Sequence, residues 1–404
     1  MKKILIVASD MEIGGAERAL LGFLDAIDTT QFHVDLFLFK HCGSFLKLIP
    51  EKINLLSERK EYSCIAVPLP NAIKKRCFGV VCGRIFGKIK TEIYLRKNHI
   101  ITQNSVGLLY SIKYTIKHLP TISDDYYDLA IGFTTPYYVV DQKVSAKRKV
   151  VWIHTDYSKE FSDKKTEELA WSVYDKLIGV SDSVCKAFAA LYPKLESKIM
   201  EMDNIVSASI IRQQASEFSV THEMPDDGYI KILSVGRFCY AKNFDNVPII
   251  CRKILNQGIK IRWFLIGFGS DEELIRQRIR EANVSENVII LEKKDNPYPY
   301  IKNCDLYVQP SRFEGRCVTV TEAQILNKPV IITNYATSAS QLTDGYDGVI
   351  VPMDNRGCAE GIARVIKDKT LQQRLIENTK MNDYTNREEI DKLYSLMERR
   401  NAFR

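Results

Sequence analysis

Two glutamates eight positions apart, Glu314 and Glu322, stand in the segment PSRFEGRCVTVTEA, residues 310–323. The apolar run before Pro310 reads as a strand and the stretch from Val318 as a helix, so Glu314 falls at the strand's carboxyl end. In an open parallel sheet that is where ligands bind. A helix opening near Val318 turns unpaired backbone N–H groups outward, an arrangement suited to an anion such as a diphosphate. Glu314, with Gly315 beside it, would then face a reacting group. Glu322, further along the helix, would accept hydrogen bonds from hydroxyls such as those of a ribose. Taken alone, the pair would equally be a helix cap and a surface acid.

A second segment, SVGRFCYAKN (234–243), places Arg237 directly after Gly236 at a strand end and Lys242 before the next helix. A planar guanidinium fork and a compact ammonium at one junction suit a diphosphate. Glycine turns follow two other strands: Gly14-Gly15 near the amino terminus, and Gly267 with Gly269 in LIGFGS. Without a Cβ, such turns let backbone approach a ligand or another chain segment closely. None matches a dinucleotide fingerprint or a phosphate-binding P-loop. His154 ends the run KVVWIH and precedes Thr155, Asp156 and Tyr157. Either it is a hydrogen-bonded structural group or its ring enters a ligand crevice.

Positioning these groups requires alternating strands and helices. In the carboxy-terminal half, strands are expected at 230–236, 261–267, 287–291, 305–310, 328–333 and 348–352. Helices are expected at 243–256, 271–281 and 318–327 between them, which is the βαβ pattern of a parallel sheet. The amino-terminal half repeats it with strands at 2–9, 33–39, 127–133, 149–154 and 176–182, and a helix after Gly15. The expected organisation is α/β, with a doubly wound domain over 1–210 and a polar linker over 211–227. A second doubly wound domain covers 228–385, and a helical tail over 386–404 packs back on the first.

The 404 residues, 45% hydrophobic and 26% charged, exclude disorder, and 20 Gly with 13 Pro exclude a collagen-like chain. The opening apolar run meets Asp10 with no cleavage site, so it reads as a buried strand rather than a signal peptide. No apolar stretch is long enough for a transmembrane helix. Ten cysteines without a CxxC pair, and six histidines away from ligand spacing, argue for reduced thiols in a cytoplasmic protein and against zinc. Residues 71–100 carry eight Lys or Arg against Glu92, a balance of +7 equal to that of the whole chain. Apolar residues Phe78, Val81, Ile85, Phe86, Ile89 and Ile93 recur there at roughly helical spacing. Such a segment either meets an anionic membrane surface or covers the first domain's core. Nucleic acid is disfavoured, because stacking aromatics are sparse.

Together GGAER (14–18), VGRFCYAKN, EGRCVTVTEA and DGYDGVIVPMD (344–354) resemble the retaining glycosyltransferases of family 4, the glycosyltransferase group 1 enzymes. The resemblance implies the GT-B fold, two facing Rossmann-like domains with a crevice between them. It also implies transfer of a sugar from a UDP- or GDP-sugar to an acceptor hydroxyl with retained configuration, and no metal or other cofactor. By the same resemblance Arg237 and Lys242 hold the diphosphate with the helix start at Val318, and Glu322 the ribose. Glu314, with Gly315 and Gly267 nearby, meets the donor sugar, His154 lines the sugar site, and Gly14 and Gly15 lie near donor and acceptor. This chain departs from the usual pattern at Arg316, Cys317 and Thr319, beside the donor sugar. The basic segment fits a lipid-linked saccharide acceptor at the inner face of a membrane, as in capsular or O-antigen assembly. A sugar-nucleotide epimerase and an inactive nucleotide-binding scaffold are the alternatives.

Overall fold

The computed structural model describes all residues except 13, 101–104, 135–137, 156, 158–161, 316 and 399–404. Asp156 and Arg316, both singled out by the sequence, lie outside the described residues. The chain divides into two units, Met1–Ser207 with Thr385–Arg404, and Ala208–Tyr384.

The strands of the first unit are β1 (Lys2–Ala8), β2 (Phe32–Leu38), β3 (Asn54–Leu55), β4 (Tyr126–Tyr127), β5 (Leu129–Gly132), β6 (Ser145–Ala146), β7 (Lys149–Ile153), β8 (Lys176–Gly179) and β9 (Ile199–Glu201). Seven form a sheet in the order β3-β2-β1-β5-β7-β8-β9, while β4 and β6 pair separately. Every pairing is parallel, as β1 with β2 from Lys2↔Phe32 to Ala8↔Leu38. Ile4 to Ala8 are all buried, because helices cover both faces of a parallel sheet and leave no polar side to alternate with. The strand order reverses at β1, between β2 and β5, which makes the carboxyl ends of β1 and β5 the switch point where such sheets present ligands.

The helix Phe78–Lys97 carries most of the basic segment, and its inner face covers the first unit's core. Its inner face carries Gly83 and Gly87, against which the helix Val106–Thr115 lies so close that a Cβ would meet Thr115 Cα at 2.6 Å and Ser111 Cα at 2.7 Å. Val80 and Val81 join the unit's core from the same helix. On the outer face Phe78, Ile85, Phe86, Ile89 and Ile93 are 45–60% exposed. No helix among the described residues is long and apolar enough to cross a membrane.

The second unit holds β10 (Ile230–Val235), β11 (Ile261–Ile266), β12 (Val288–Ile290), β13 (Leu306–Gln309), β14 (Val330–Thr333) and β15 (Val349–Val351). They form a parallel sheet in the order β12-β11-β10-β13-β14-β15, with the switch point between β10 and β13. The helix expected from residue 243 begins instead at Val247. Asn243 takes a left-handed φ of 60° between two short 3-10 turns, and Pro248 stands in the helix's first turn.

One boundary differs from the sequence reading, and the return of the tail agrees with it. The stretch 211–227 is no free linker: Ala208–Gln214 is helical, and Ile211, Val220 and Met224 are buried in the second unit. Lys294 Nζ bonds Glu223 at 2.6 Å and Asn296 Nδ2 bonds the Gln214 carbonyl at 2.9 Å, tying the stretch down. After Tyr384 the chain returns to the first unit, where Tyr394 stacks on Phe32 at 4.6 Å and its hydroxyl accepts the Asp28 N–H.

Candidate active site

In the second unit, the loop after β10 and the loop after β13 meet at the switch point. Lys242 Nζ donates to Glu314 Oε1 at 2.6 Å, with both side chains largely buried. Ser311 Oγ donates to the same carboxylate oxygen at 2.6 Å. Behind it runs a buried relay in which Gln309 Nε2 donates to Ser311 Oγ and the Tyr307 hydroxyl donates to Gln309 Oε1. The lysine stem crosses Gly236, whose absent Cβ would lie 3.2 Å from Lys242 Cε. Burial opposes the ammonium, yet Cys317 and Glu314 more than restore it, so Lys242 stays charged past its ordinary range.

Glycine is required at 267 for space: a Cβ there would stand 1.9 Å from the Gly236 carbonyl oxygen. Gly269 is pressed in the same way against the Phe238 carbonyl oxygen, at 2.2 Å. These contacts bring the turn after β11 onto the backbone that carries Arg237. Arg237 itself is exposed and makes no hydrogen bond or ion pair with the described residues.

Residues that the sequence reading passed over hold the two loops together. Arg312 clamps Asp245 with two bonds of 2.9 and 2.7 Å, donates to the Tyr240 carbonyl, and lies 4.2 Å over the Tyr240 ring. Asn243 Nδ2 reaches the Pro310 carbonyl at 2.8 Å. An Asp three residues after a lysine, and an Arg two before a glutamate, carry no motif that would have announced the pairing.

The helix Val318–Ile325 begins beside Glu314, with Gly315 exposed and Val318 half-exposed. The N–H of Cys317, its cap, is already taken by Gln341 Oε1 at 2.7 Å. Glu322 is not gathered with Lys242 and Glu314. It is 1% exposed and accepts from the Tyr298 hydroxyl at 2.7 Å.

In the first unit, the β1, β5 and β7 ends border a cleft of about 640 Å³. His154 lines it, and its Nε2 donates to the Phe133 carbonyl at 2.8 Å. Burial lowers His154 to about 4, with the Phe133 carbonyl working partly against that, so the ring is neutral. A carbonyl can only accept, which leaves Nδ1 as an acceptor. Gly14 caps the helix Gly15–Ala26, and the Glu17 carboxylate folds over it, filling the space a Cβ would take. Nothing crowds Gly15. Among the described residues no group of three or more His, Cys, Asp or Glu is arranged to hold a metal ion.

Residues 218–382 match the family model of glycosyl transferases group 1. The second unit is a glycosyl transferases group 1 domain. The Lys242–Glu314 pair, Arg237 and Val318 all fall within it. Among curated relatives, the chain is 27% identical over 144 residues to N-acetylgalactosamine-N,N'-diacetylbacillosaminyl-diphospho-undecaprenol 4-alpha-N-acetylgalactosaminyltransferase of Campylobacter jejuni, covering 35% of this chain and 39% of that one. It is 24% identical over 221 residues to the capsular polysaccharide biosynthesis glycosyltransferase CapM of Staphylococcus aureus, covering 52% and 57%. These matches thus span about two-fifths and under three-fifths of the relatives' lengths.

Solved structures with the same fold include Anabaena HepE in complex with UDP and glucose, at a TM-score of 0.60 and 15% identity over 98% of this chain and 100% of that one. Another is a variant of S. aureus TarM in complex with Fondaparinux, alpha-GlcNAc-glycerol and UDP, at 0.62 and 12% over 99% and 100%. The glycosyltransferase domain and the first unit are therefore the two Rossmann-like units of the GT-B fold.

Proposed function

We propose that this chain is a retaining glycosyltransferase that moves a sugar from a nucleotide-sugar to a hydroxyl of a lipid-linked saccharide during surface polysaccharide assembly. The observation that carries the reading is the buried Lys242–Glu314 pair beside the uncommitted Arg237, at the switch point of a glycosyl transferases group 1 domain. UDP is the favoured nucleotide over GDP, since HepE and TarM were each solved with UDP. A lipid-linked acceptor is favoured by the diphospho-undecaprenol saccharide named for the Campylobacter relative.

In this reading Arg237 and Lys242 bind the diphosphate, and the Val318 N–H adds a fixed dipole where charge grows on the leaving group. The anomeric carbon–oxygen bond to the diphosphate breaks as the acceptor oxygen bonds the same face. The acceptor's proton leaves on a diphosphate oxygen, so no metal is needed for the balance. Glu314, held by Lys242 and Ser311, orients the donor sugar. Glu322 would reach a ribose only if the side chains that bury its carboxylate moved aside. Gly15 is open to a ligand, Gly267 keeps the donor loop close, and His154 offers Nδ1 to a sugar hydroxyl.

The outer face of the helix Phe78–Lys97 supplies the membrane contact. Its exposed apolar side chains stand among exposed Lys74, Lys75, Arg76, Lys88, Arg96 and Lys97, the combination that binds anionic bilayers at the interface. The enzyme would thus work at the inner membrane surface.

The test is transfer of labelled sugar from UDP-sugars to lipid-linked saccharide by wild type and Glu314→Gln. The expected result is transfer by wild type and loss of at least a hundredfold in the variant, with nucleotide affinity kept. Full turnover by the variant contradicts the assignment, and product formed without any acceptor supports an epimerase instead.

A further inference from the structure

The first-unit cleft has a chemistry that its wall residues define. One end is polar: Ser9 and Asp10 follow β1, Thr134 follows β5, and Glu17 and His154 complete it. The two strand ends are locked together, with the Ser9 N–H bonded to Thr134 Oγ1 at 3.0 Å and Ser9 Oγ to the Thr134 carbonyl at 3.1 Å. Asp10, Glu17 and His154 Nδ1 all present acceptors. Burial raises Glu17, its own backbone N–H opposes this, and Asp10 adds to the rise. Among the described residues the lining holds three carboxylates (Glu12 is the third) against one cation, Lys40.

Aromatic side chains form the middle, where Trp152 stacks on Phe133 at 5.1 Å and Tyr157 sits edge-on to Trp171. The far wall is apolar: Ile65, Val67, Leu108 and Ile112. Leu108 and Ile112 belong to the helix Val106–Thr115, on which the basic helix packs.

We infer that this cleft takes the saccharide end of an amphiphilic acceptor whose terminal sugar is uncharged or carries an amine, and that it rejects acidic sugars. The inference rests on the glycosyl-transfer reading for why an acceptor comes here. A sugar's hydroxyls and ammonium groups are donors that match an acceptor-rich wall, while Phe133, Trp152 and Trp171, at most 6% exposed, form the rigid floor behind it. A carboxylate or phosphate would instead be desolvated beside Asp10 and Glu17, which is the repulsive element that specificity uses. The apolar wall takes the aglycone side of the saccharide, and the diphosphate, which in such an acceptor lies between saccharide and lipid, is kept clear of the acids.

Two of the chain's three tryptophans, Trp152 and Trp171, line the cleft, so tryptophan fluorescence reads occupancy directly. The probes are octyl glucoside, octyl glucosaminide and octyl glucuronide, all kept below micelle formation, and methyl glucoside. The glucosaminide and the glucoside are expected to bind at least tenfold more tightly than the glucuronide. Asp10→Asn with Glu17→Gln shrinks that gap to under threefold, and Leu108→Asp, at an exposed position, removes the advantage of octyl over methyl. UDP affinity, measured alongside by calorimetry, keeps the two readings separate.

Equal binding of the glucuronide overturns the inference, as does selective binding indifferent to both sets of variants. Absence of any saccharide binding while UDP still binds overturns the cleft assignment and leaves glycosyl transfer standing. Selective saccharide binding without UDP binding supports the cleft and removes the glycosyl-transfer reading.

Discussion

Replacing Lys242 by methionine keeps the stem that crosses Gly236 and deletes the charge opposite Glu314. The pair stands at 2.6 Å with side chains 19% and 10% exposed. At an effective dielectric of ~20 and a charge separation of ~3 Å, the attraction is about 5 kcal/mol, and desolvation of the two ions offsets most of it. The net worth of the pair is therefore small, but removing one member strands the other. Lys242→Met leaves the Glu314 carboxylate with Ser311 as its remaining side-chain donor among the described residues, at a cost of about 3 kcal/mol.

Glu314→Gln keeps an oxygen for Lys242 and Ser311 but takes the countercharge from the ammonium, at a cost of about 2 kcal/mol. The double variant strands no charge, so a double-mutant cycle returns a coupling of about 2 kcal/mol. Trp263 is fully buried and is the only tryptophan of the second unit, so red-edge fluorescence during urea unfolding of a Trp152→Phe, Trp171→Phe background isolates this unit. A Lys242→Met drop of about 6–12 °C in Tm accompanies the loss, at about 2–4 °C per kcal/mol for a domain of this size. A coupling below about 0.3 kcal/mol would refute the reasoning, because it means that the two charges do not meet in solution.

The neutral His154 makes folding sensitive to acid. Its folded value near 4 lies below the ordinary 6.5, so between those limits the unfolded chain binds the extra proton and stability falls as pH falls. Wild type is expected to lose about 3 kcal/mol more than His154→Gln between pH 6.5 and pH 4, with the two parallel above pH 7. Urea midpoints across that range check it, and parallel curves throughout would show that the ring is open to water. On the membrane face, Phe86→Ser with Ile89→Ser, both about half exposed, should cost about 1–2 kcal/mol, since Phe86 also packs edge-on to Tyr114, while leaving the chain folded and cutting co-sedimentation with anionic vesicles at least fivefold. Neutralising Lys74, Lys75 and Arg76 should lower it in a salt-dependent way. Unchanged sedimentation in both sets contradicts the membrane contact.

The second unit was legible because its strands are continuous apolar runs, which a sheet buried on both faces demands. The sequence set Glu314 at a strand's carboxyl end and Lys242 before a helix, with no sign that they would pair. Asn243 was not legible, since the helix pattern runs straight through it and only the left-handed turn delays the start to Val247. Glu322 lies on a helix whose polar residues, Thr319, Thr321, Glu322 and Gln324, are spread around its axis and mark no solvent face, and its burial against Tyr298 depended on a residue 24 positions away. The basic segment left two readings open because periodicity shows that a helix has faces but not what covers each; Gly83 and Gly87 decided which face turned inward. The cleft was invisible for a different reason. Its wall draws on residues from Ser9 to Trp171, contributed by strand ends, a loop near Tyr62 and the helix Val106–Thr115.

The central claim is that the glycosyltransferase domain binds a nucleotide-sugar through Arg237 and Lys242. Thermal stabilisation of the purified protein across nucleoside diphosphates and their sugars tests it, since a ligand of the folded state raises Tm by mass action. A shift selective for UDP compounds, lost in Arg237→Ala, is the predicted result. A protein whose Tm moves with none of them, or moves equally in Arg237→Ala, contradicts the account.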